Sequence, residues 1–223
     1  MKKADNITYN EIYTPMSAQT RFLLPDSTVV WLNSASTLRY PLSFTGKTRE
    51  VILTGEGYFD VVKNPKKPFV VQTKKINVIA YGTSFDVMAY PDDPKVAATL
   101  VKGKIKVVKK NTGKYFDLKP SSQAVLDTVT GKMTVSKVET RFYTSWKDGK
   151  LIFKSEPMEI VVHKLERWFN CKIHIQNDQL KKYKYTGTIE METLREVMEL
   201  IKITTPIKYK YDKDTREIWI EPI

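Results

Sequence analysis

A chain of 223 residues with 41% hydrophobic and 28% charged side chains has an ordinary globular balance, which excludes a disordered polymer. Its 37 basic and 25 acidic residues leave a net charge of +12, which raises nucleic acid, anionic membrane or acidic protein as partners. A single cysteine, Cys171, excludes an intramolecular disulfide; there is no signal-peptide h-region, and no stretch approaches the roughly 18 apolar residues of a membrane span.

Residues 1–19 are polar and weakly patterned and read as a lead-in, frayed from Met1 to Thr8. Asn6-Ile7-Thr8 matches the glycosylation acceptor pattern, which three residues match by chance too easily to carry weight. Arg21 to Leu24 and Thr28 to Leu32 flank Pro25-Asp26-Ser27 and predict a hairpin. Thr37 to Tyr40 is extended, Arg49 to Leu53 is a strand broken by Gly55 and Gly57, and Tyr58 to Val62 is the next. Short strands continue at Phe69 to Thr73, Ile76 to Tyr81, Ser84 to Tyr90, Val96 to Val101, Lys104 to Val108, Tyr115 to Leu118, Gln123 to Asp127 and Lys132 to Val135. No helical stripe interrupts them. Residues 20–135 therefore predict an all-β domain, a sandwich, barrel or strand-coil stack. Residues 136–145 lose the strand rhythm and read as a linker.

Residues 146–223 read as an α+β domain written as one unit twice. Leu151-Ile152-Phe153 is a strand, Met158, Val161, Val162, Leu165, Trp168 and Phe169 form a helical stripe, and Lys172 to Gln176 alternates. The order repeats with Tyr185 to Ile189, then Leu194, Val197, Met198 and Ile201, then Ile207 to Tyr211; a final strand covers Arg216 to Ile220. Ser155 is the expected cap of the first helix, with Pro157 in its first turn. Thr193 with Glu196 predicts a capping box on the second. Two helices with one apolar stripe each are expected to lie on one face of a small mixed sheet.

The catalytic inventory is thin. His163 and His174 fall on different elements with no ligand-spaced partner, and Cys171 near His174 lacks a third group, so no metal site and no nucleophile are assigned. No glycine-rich phosphate loop or nucleophile elbow is present, so no cofactor is expected. Glu56 and Asp60, four residues apart, are the carboxylate pair that raises glycoside chemistry. Lysines that alternate with apolar residues, such as Lys104 and Lys106 or Lys208 and Lys210, predict solvated sheet faces with the charge spread thinly, which argues against a nucleic-acid binder. The reading is a binding or signalling module, not an enzyme.

Several strings, in order, resemble the FecR-type anti-sigma factor family. They are Leu24-Pro25-Asp26-Ser27-Thr28-Val29-Val30-Trp31-Leu32-Asn33, Leu53 to Val61 with Gly55 and Gly57, Pro68-Phe69-Val70-Val71, Gly82-Thr83-Ser84-Phe85-Asp86-Val87, Leu100 to Val107 around Gly103, and Trp146 to Phe153. The family's usual glycine after the aspartate is Ser27 here. Leu165 to Phe169 and Tyr185 to Ile189 resemble the C-terminal module of the Bacteroidetes branch, itself similar to the signalling domain of TonB-dependent outer-membrane transducers. The resemblance implies the periplasmic part of a single-span inner-membrane protein. It would sense a substrate-loaded transducer in iron or nutrient uptake and regulate transcription through an extracytoplasmic-function sigma factor. The sigma factor and the membrane would be engaged through cytoplasmic and spanning regions that this sequence lacks.

The motif residues are expected to be structural: Gly55, Gly57, Gly82 and Gly103 for bends, Trp31, Phe59, Phe69 and Phe85 for the β core. The partner surface is expected on the last strand, as an edge open to strand addition, with Trp219, Glu217 and Glu221 on its outward face. The alternatives are a β-rich carbohydrate-binding or hydrolytic domain using Glu56 or Asp60 and, on charge alone, a nucleic-acid binder. Trp219 is also a candidate for closing an inter-domain joint.

Overall fold

The computed structural model describes residues 8–223. The frayed lead-in and the Asn6-Ile7-Thr8 pattern lie, except for Thr8, outside them. The described chain forms two compact units, one running to Thr140 without residues 16–18, the other comprising residues 16–18 and 141–223.

The first unit is built of β1 (Tyr9–Thr14), β2 (Thr20–Leu23), β3 (Val29–Leu32), β4 (Ser36–Pro41), β5 (Arg49–Asp60), β6 (Phe69–Gln72) and β7 (Ile76–Ala80), then β8 (Ser84–Ala89), β9 (Lys95–Lys102), β10 (Ile105–Lys109), β11 (Tyr115–Leu118), β12 (Ser122–Asp127) and β13 (Met133–Lys137). It is all-β, as its alternating pattern predicts. β1 escapes that pattern because it is an outer strand paired only with β4, so Tyr9, Asn10, Glu11 and Tyr13 stay exposed.

β5 organises this unit. Its first half pairs with β4 and β6 and its second half with β3 and β8. It thereby belongs to two sheets, β11-β10-β7-β6-β5-β4-β1 and β2-β3-β5-β8-β9-β12-β13. The expected break at Gly55 and Gly57 does not occur. Gly55 bends the strand at φ +96°, and a Cβ there would lie 2.2 Å from Ser36 Oγ. The space it leaves lets the Glu56 amide donate to Ser36 Oγ at 2.9 Å. The bend keeps Val51, Leu53 and Phe59 on one inward face.

One core fills the space between the two inward faces. Phe59 stacks on Phe85 at 5.4 Å and leans on Phe69 at 5.9 Å. All three rings are fully buried, as expected of them. Trp31 is not: Val30 and Leu32 take the inward phase of β3, so Trp31 points outward, edge-on to Tyr58 with the Arg21 guanidinium over its ring.

Beneath the core's edge lies Arg49, 2% exposed. Its Nη1 pairs with Asp26 Oδ2 at 2.6 Å and donates to the Val62 carbonyl, while Nε donates to the Lys67 carbonyl. Asp26 also accepts from the Thr28 amide and hydroxyl, which fixes the β2–β3 turn, where Ser27 has φ +66° in place of the family's glycine.

The second unit contains α1 (Arg141–Thr144), a 3₁₀ turn (Ser145–Asp148), β14 (Leu151–Pro157), α2 (Met158–Phe169), β15 (Lys172–Ile175), α3 (Asp178–Lys181), β16 (Lys184–Ile189), α4 (Leu194–Thr204), β17 (Ile207–Asp212) and β18 (Glu217–Pro222). It is the expected small α+β fold, with its strands divided between two sheets, β14-β16 and β15-β18-β17. α2 buries Val161, Val162 and Leu165, and α4 buries Val197, Met198 and Ile201, the stripes their spacing predicts. The Thr193–Glu196 capping box forms. Ser155 does not cap α2. It sits at φ +52° in a bulge of β14, its amide donating to Thr186 Oγ1, and Pro157 occupies the cap position.

Removing Asp26 strands a buried guanidinium whose Nη2 already lacks a hydrogen-bond partner. Asp26→Ala is expected to lower unfolding stability by about 3–5 kcal/mol, read from the urea midpoint. A loss below about 1 kcal/mol would contradict the account.

Candidate protein-interaction site

The sequence puts Glu217, Trp219 and Glu221 on the polar face of the last strand, and that face is where they lie. The strand itself is not an edge. β18 is the middle strand of its sheet: Ile218 faces Ile173 of β15 on one side and Tyr211 of β17 on the other. The inward residues give the physical reason. Ile218 and Ile220 are buried to 0% and 1% exposure, and a central position shields such a strand from both sides.

Trp219 finds its cover within the sheet. Its ring stacks on the His174 imidazole at 5.4 Å and 18°, and Lys210 is its neighbour on the other side. Glu217 Oε2 lies 3.3 Å from His174 Nε2, a contact without hydrogen-bond geometry. Glu221 pairs with Lys208 at 3.4 Å. Half-exposed pairs of this kind are each worth about 0–1 kcal/mol, so they decorate the face more than they hold it.

The open edge with a built surround is β15. The Lys172 amide donates to the Arg216 carbonyl and the Gln176 amide to the Ile220 carbonyl, so even-numbered residues face β18. By the two-residue period, the amides and carbonyls of Ile173 and Ile175 point away from the sheet. Glu166 of α2 meets one of them: the Ile173 amide donates to its Oε1 at 2.8 Å. Among the described residues the Ile175 amide and the two outward carbonyls meet no hydrogen-bond partner.

A cavity of about 380 Å³ runs beside this edge, lined by Val162, His163 and Glu166 of α2, by β15 and by Lys181 of α3. Glu166 is 7% exposed and also holds the Lys172 ammonium at 2.9 Å. An inward-directed carboxylate beside an unpaired strand is a recognised way of blunting an edge. The sequence carried a signal for it, since Glu166 falls four residues after Val162, in the apolar phase of the helix, where a charge needs a buried partner.

The remaining candidates have structural partners. Cys171 is buried, its sulfur 4.0 Å from the Leu165 carbonyl. Burial, followed by the Glu166 charge, pushes its thiol up to about 11, against the opposing pull of Arg216 and Lys172. Arg216 Nη2 donates to the Phe169 carbonyl and Ser17 Oγ to the Trp168 carbonyl, which satisfies the end of α2. In the first unit, Glu56 accepts from Asn33 Nδ2 at 2.7 Å and Asp60 from Ser84 Oγ at 2.7 Å. The two carboxylates sit four residues apart on one strand, each held by a neighbouring side chain.

The FecR protein family matches residues 10–106, and its C-terminal family, described as FecR, C-terminal, matches residues 150–220. Two crystal structures of a candidate anti-sigma factor from Parabacteroides distasonis superpose with a TM-score of 0.90 at 29% identity. One covers 96% of this chain and 99% of its own, the other 97% and 100%. No curated protein sequence matches the chain.

The thiol shift is open to direct measurement. At pH 8 native Cys171 should react with iodoacetamide about 100-fold more slowly than in the urea-unfolded chain, because a thiol two units above its ordinary value carries that much less thiolate. Equal rates in the two states would contradict it.

Proposed function

This chain belongs to the FecR-type anti-sigma factor family, and we propose that its C-terminal unit receives the signal by adding a strand from its partner to the free edge of β15. The partner in this reading is the signalling domain of a TonB-dependent transducer, met in the periplasm. The response passes to an extracytoplasmic-function sigma factor through a membrane-anchored, cytoplasmic part of the protein. The chain acts by binding and not by catalysis. Among the described residues no helix is long and apolar enough to cross a membrane.

One observation carries the reading: the unpaired amide and carbonyls of Ile173 and Ile175 open beside a lined cavity. Main-chain groups of this kind supply affinity to any extended segment, and the side chains along the groove supply selectivity. Glu166 guards the edge in the free protein, holding the Ile173 amide until a strand arrives. Trp219, Glu217 and Glu221 lie one strand away on the same sheet, and the proposal keeps them as flanking contacts of lesser weight.

Proline at position 175 tests this cleanly. The Ile175 amide points away from β18, so Ile175→Pro removes a donor that the sheet does not use. Binding of the purified transducer signalling domain, followed by calorimetry, should fall at least about tenfold in Ile175→Pro, with Ile175→Ala and Trp219→Ala affected less. Unchanged affinity in a folded Ile175→Pro protein would end the β15 assignment.

A further inference from the structure

The lysines are not all spread along solvent faces. Three turns of the first unit converge at one end of its sheets: residues 73–76 between β6 and β7, 109–114 after β10, and 127–132 between β12 and β13. They are tied to one another. Lys110 donates through its amide to the Lys75 carbonyl at 3.1 Å and through Nζ to the Thr73 carbonyl at 3.1 Å. Lys109 Nζ donates to the Gly131 carbonyl at 2.6 Å.

Between the turns lies a cavity of about 360 Å³ lined by Lys74, Lys75, Lys109 and Lys110, with Leu126 also in its wall. Four ammonium groups stand against one carboxylate, Asp127, and that carboxylate is already engaged. Asp127 accepts from the Thr130 amide at 2.7 Å and the Val129 amide at 3.0 Å, bonds that hold its carboxyl below the usual range, with Lys95 adding to them. None of the four lysines forms an ion pair among the described residues, so most of their mutual repulsion is left to solvent and salt to screen. Each of the two tethered ammoniums spends one donor on a carbonyl and keeps two free.

The chemistry narrows the ligand. Lysine ammoniums lining one cavity suit the oxygens of a phosphate group. The wall holds no arginine and no aromatic ring, the groups that read bases or stack on them, which disfavours nucleic acid. Lys74, Lys75 and Lys110 are exposed and Lys109 is half-buried, so one isolated ion would remain largely hydrated and weakly held. A surface that presents many phosphates at once does not face that limit. Val129 projects from the same turn that contributes Asp127, Thr128 and Gly131 to the wall, and it is 85% exposed. An exposed apolar tip on a turn that helps line the lysine cavity matches the boundary between lipid headgroups and acyl chains.

We propose that this lysine-lined hairpin end docks on anionic phospholipid surfaces, with a headgroup phosphate in the cavity and Val129 entering the headgroup layer. The site is separate from the β15 edge and does not depend on that reading.

Flotation of the full chain with phosphatidylglycerol-containing and pure phosphatidylcholine vesicles tests it. Binding is expected only to the anionic vesicles, weakening as salt rises. Lys74→Gln with Lys75→Gln touches no hydrogen bond of the lysine side chains and should reduce binding about 30-fold. Val129→Ser should reduce it several-fold. Lys208→Gln with Lys210→Gln, which removes the same charge from the second unit, should change it less than about twofold. Equal losses from both lysine pairs would mean diffuse attraction and overturn the site. So would equal binding to neutral vesicles. Saturable binding of inorganic phosphate or duplex DNA at comparable salt, with none to anionic vesicles, would overturn the lipid assignment.

Discussion

The first unit depends on a buried cation that has to be answered. Arg49 begins the strand that both sheets share, and its guanidinium sits under the core against the Phe69 ring. A charge in that position is tolerable only with a close counter-charge and filled hydrogen bonds. Asp26 supplies the charge, and the Val62 and Lys67 carbonyls supply acceptors. Those three groups come from the β2–β3 turn and from the two ends of the loop between β5 and β6. The ion pair and its hydrogen bonds therefore tie two connections to the start of β5.

With β5 set, the rest of the unit is a matter of continuity. One strand serves two sheets because Gly55 can bend where a side chain would strike Ser36. The inward phase survives the bend, so the Phe59, Phe69 and Phe85 rings meet in one core instead of two. The shared strand is paired on both sides in each half, so it is an interior strand of both sheets, and the outer strands are β1, β11, β2 and β13. The hairpin turns left at the far end are free of core duties, and there the lysines gather.

The second unit meets the same problem of edges with fewer strands. Splitting its strands into a pair and a triplet leaves several unpaired rims. β17 carries Lys208 and Lys210 along its length, charges of the kind that discourage chance pairing. β15 is guarded differently, by a single carboxylate reaching down from α2. That guard satisfies one amide and leaves the next exposed, so the edge is blunted without being closed. The same carboxylate raises the Cys171 thiol, after burial, and anchors Lys172. One buried acid thus ties the helix end, the cysteine and the strand into a single local arrangement.

Much of this was legible in the residues themselves. The period-two strands up to Val135, the helical stripes of α2 and α4 and the Thr193–Glu196 box are local patterns, and local sterics and capping decide them. The family resemblance lay in strings whose residues keep that fold: Asp26 in the turn, Gly55 at the bend, Phe59, Phe69 and Phe85 in the core. What the residues could not reveal is which strand stands next to which. Period and polarity assign a face to Trp219 but no neighbours, and an apolar strand at the end of a chain reads equally well as edge or centre. Tertiary pairing put β18 in the middle, where its isoleucines are covered from both sides, and left β15 outside. It likewise joined Asp26 to Arg49 and drew four lysines from two turns around one cavity, because partners distant in sequence are chosen by packing and not by spacing.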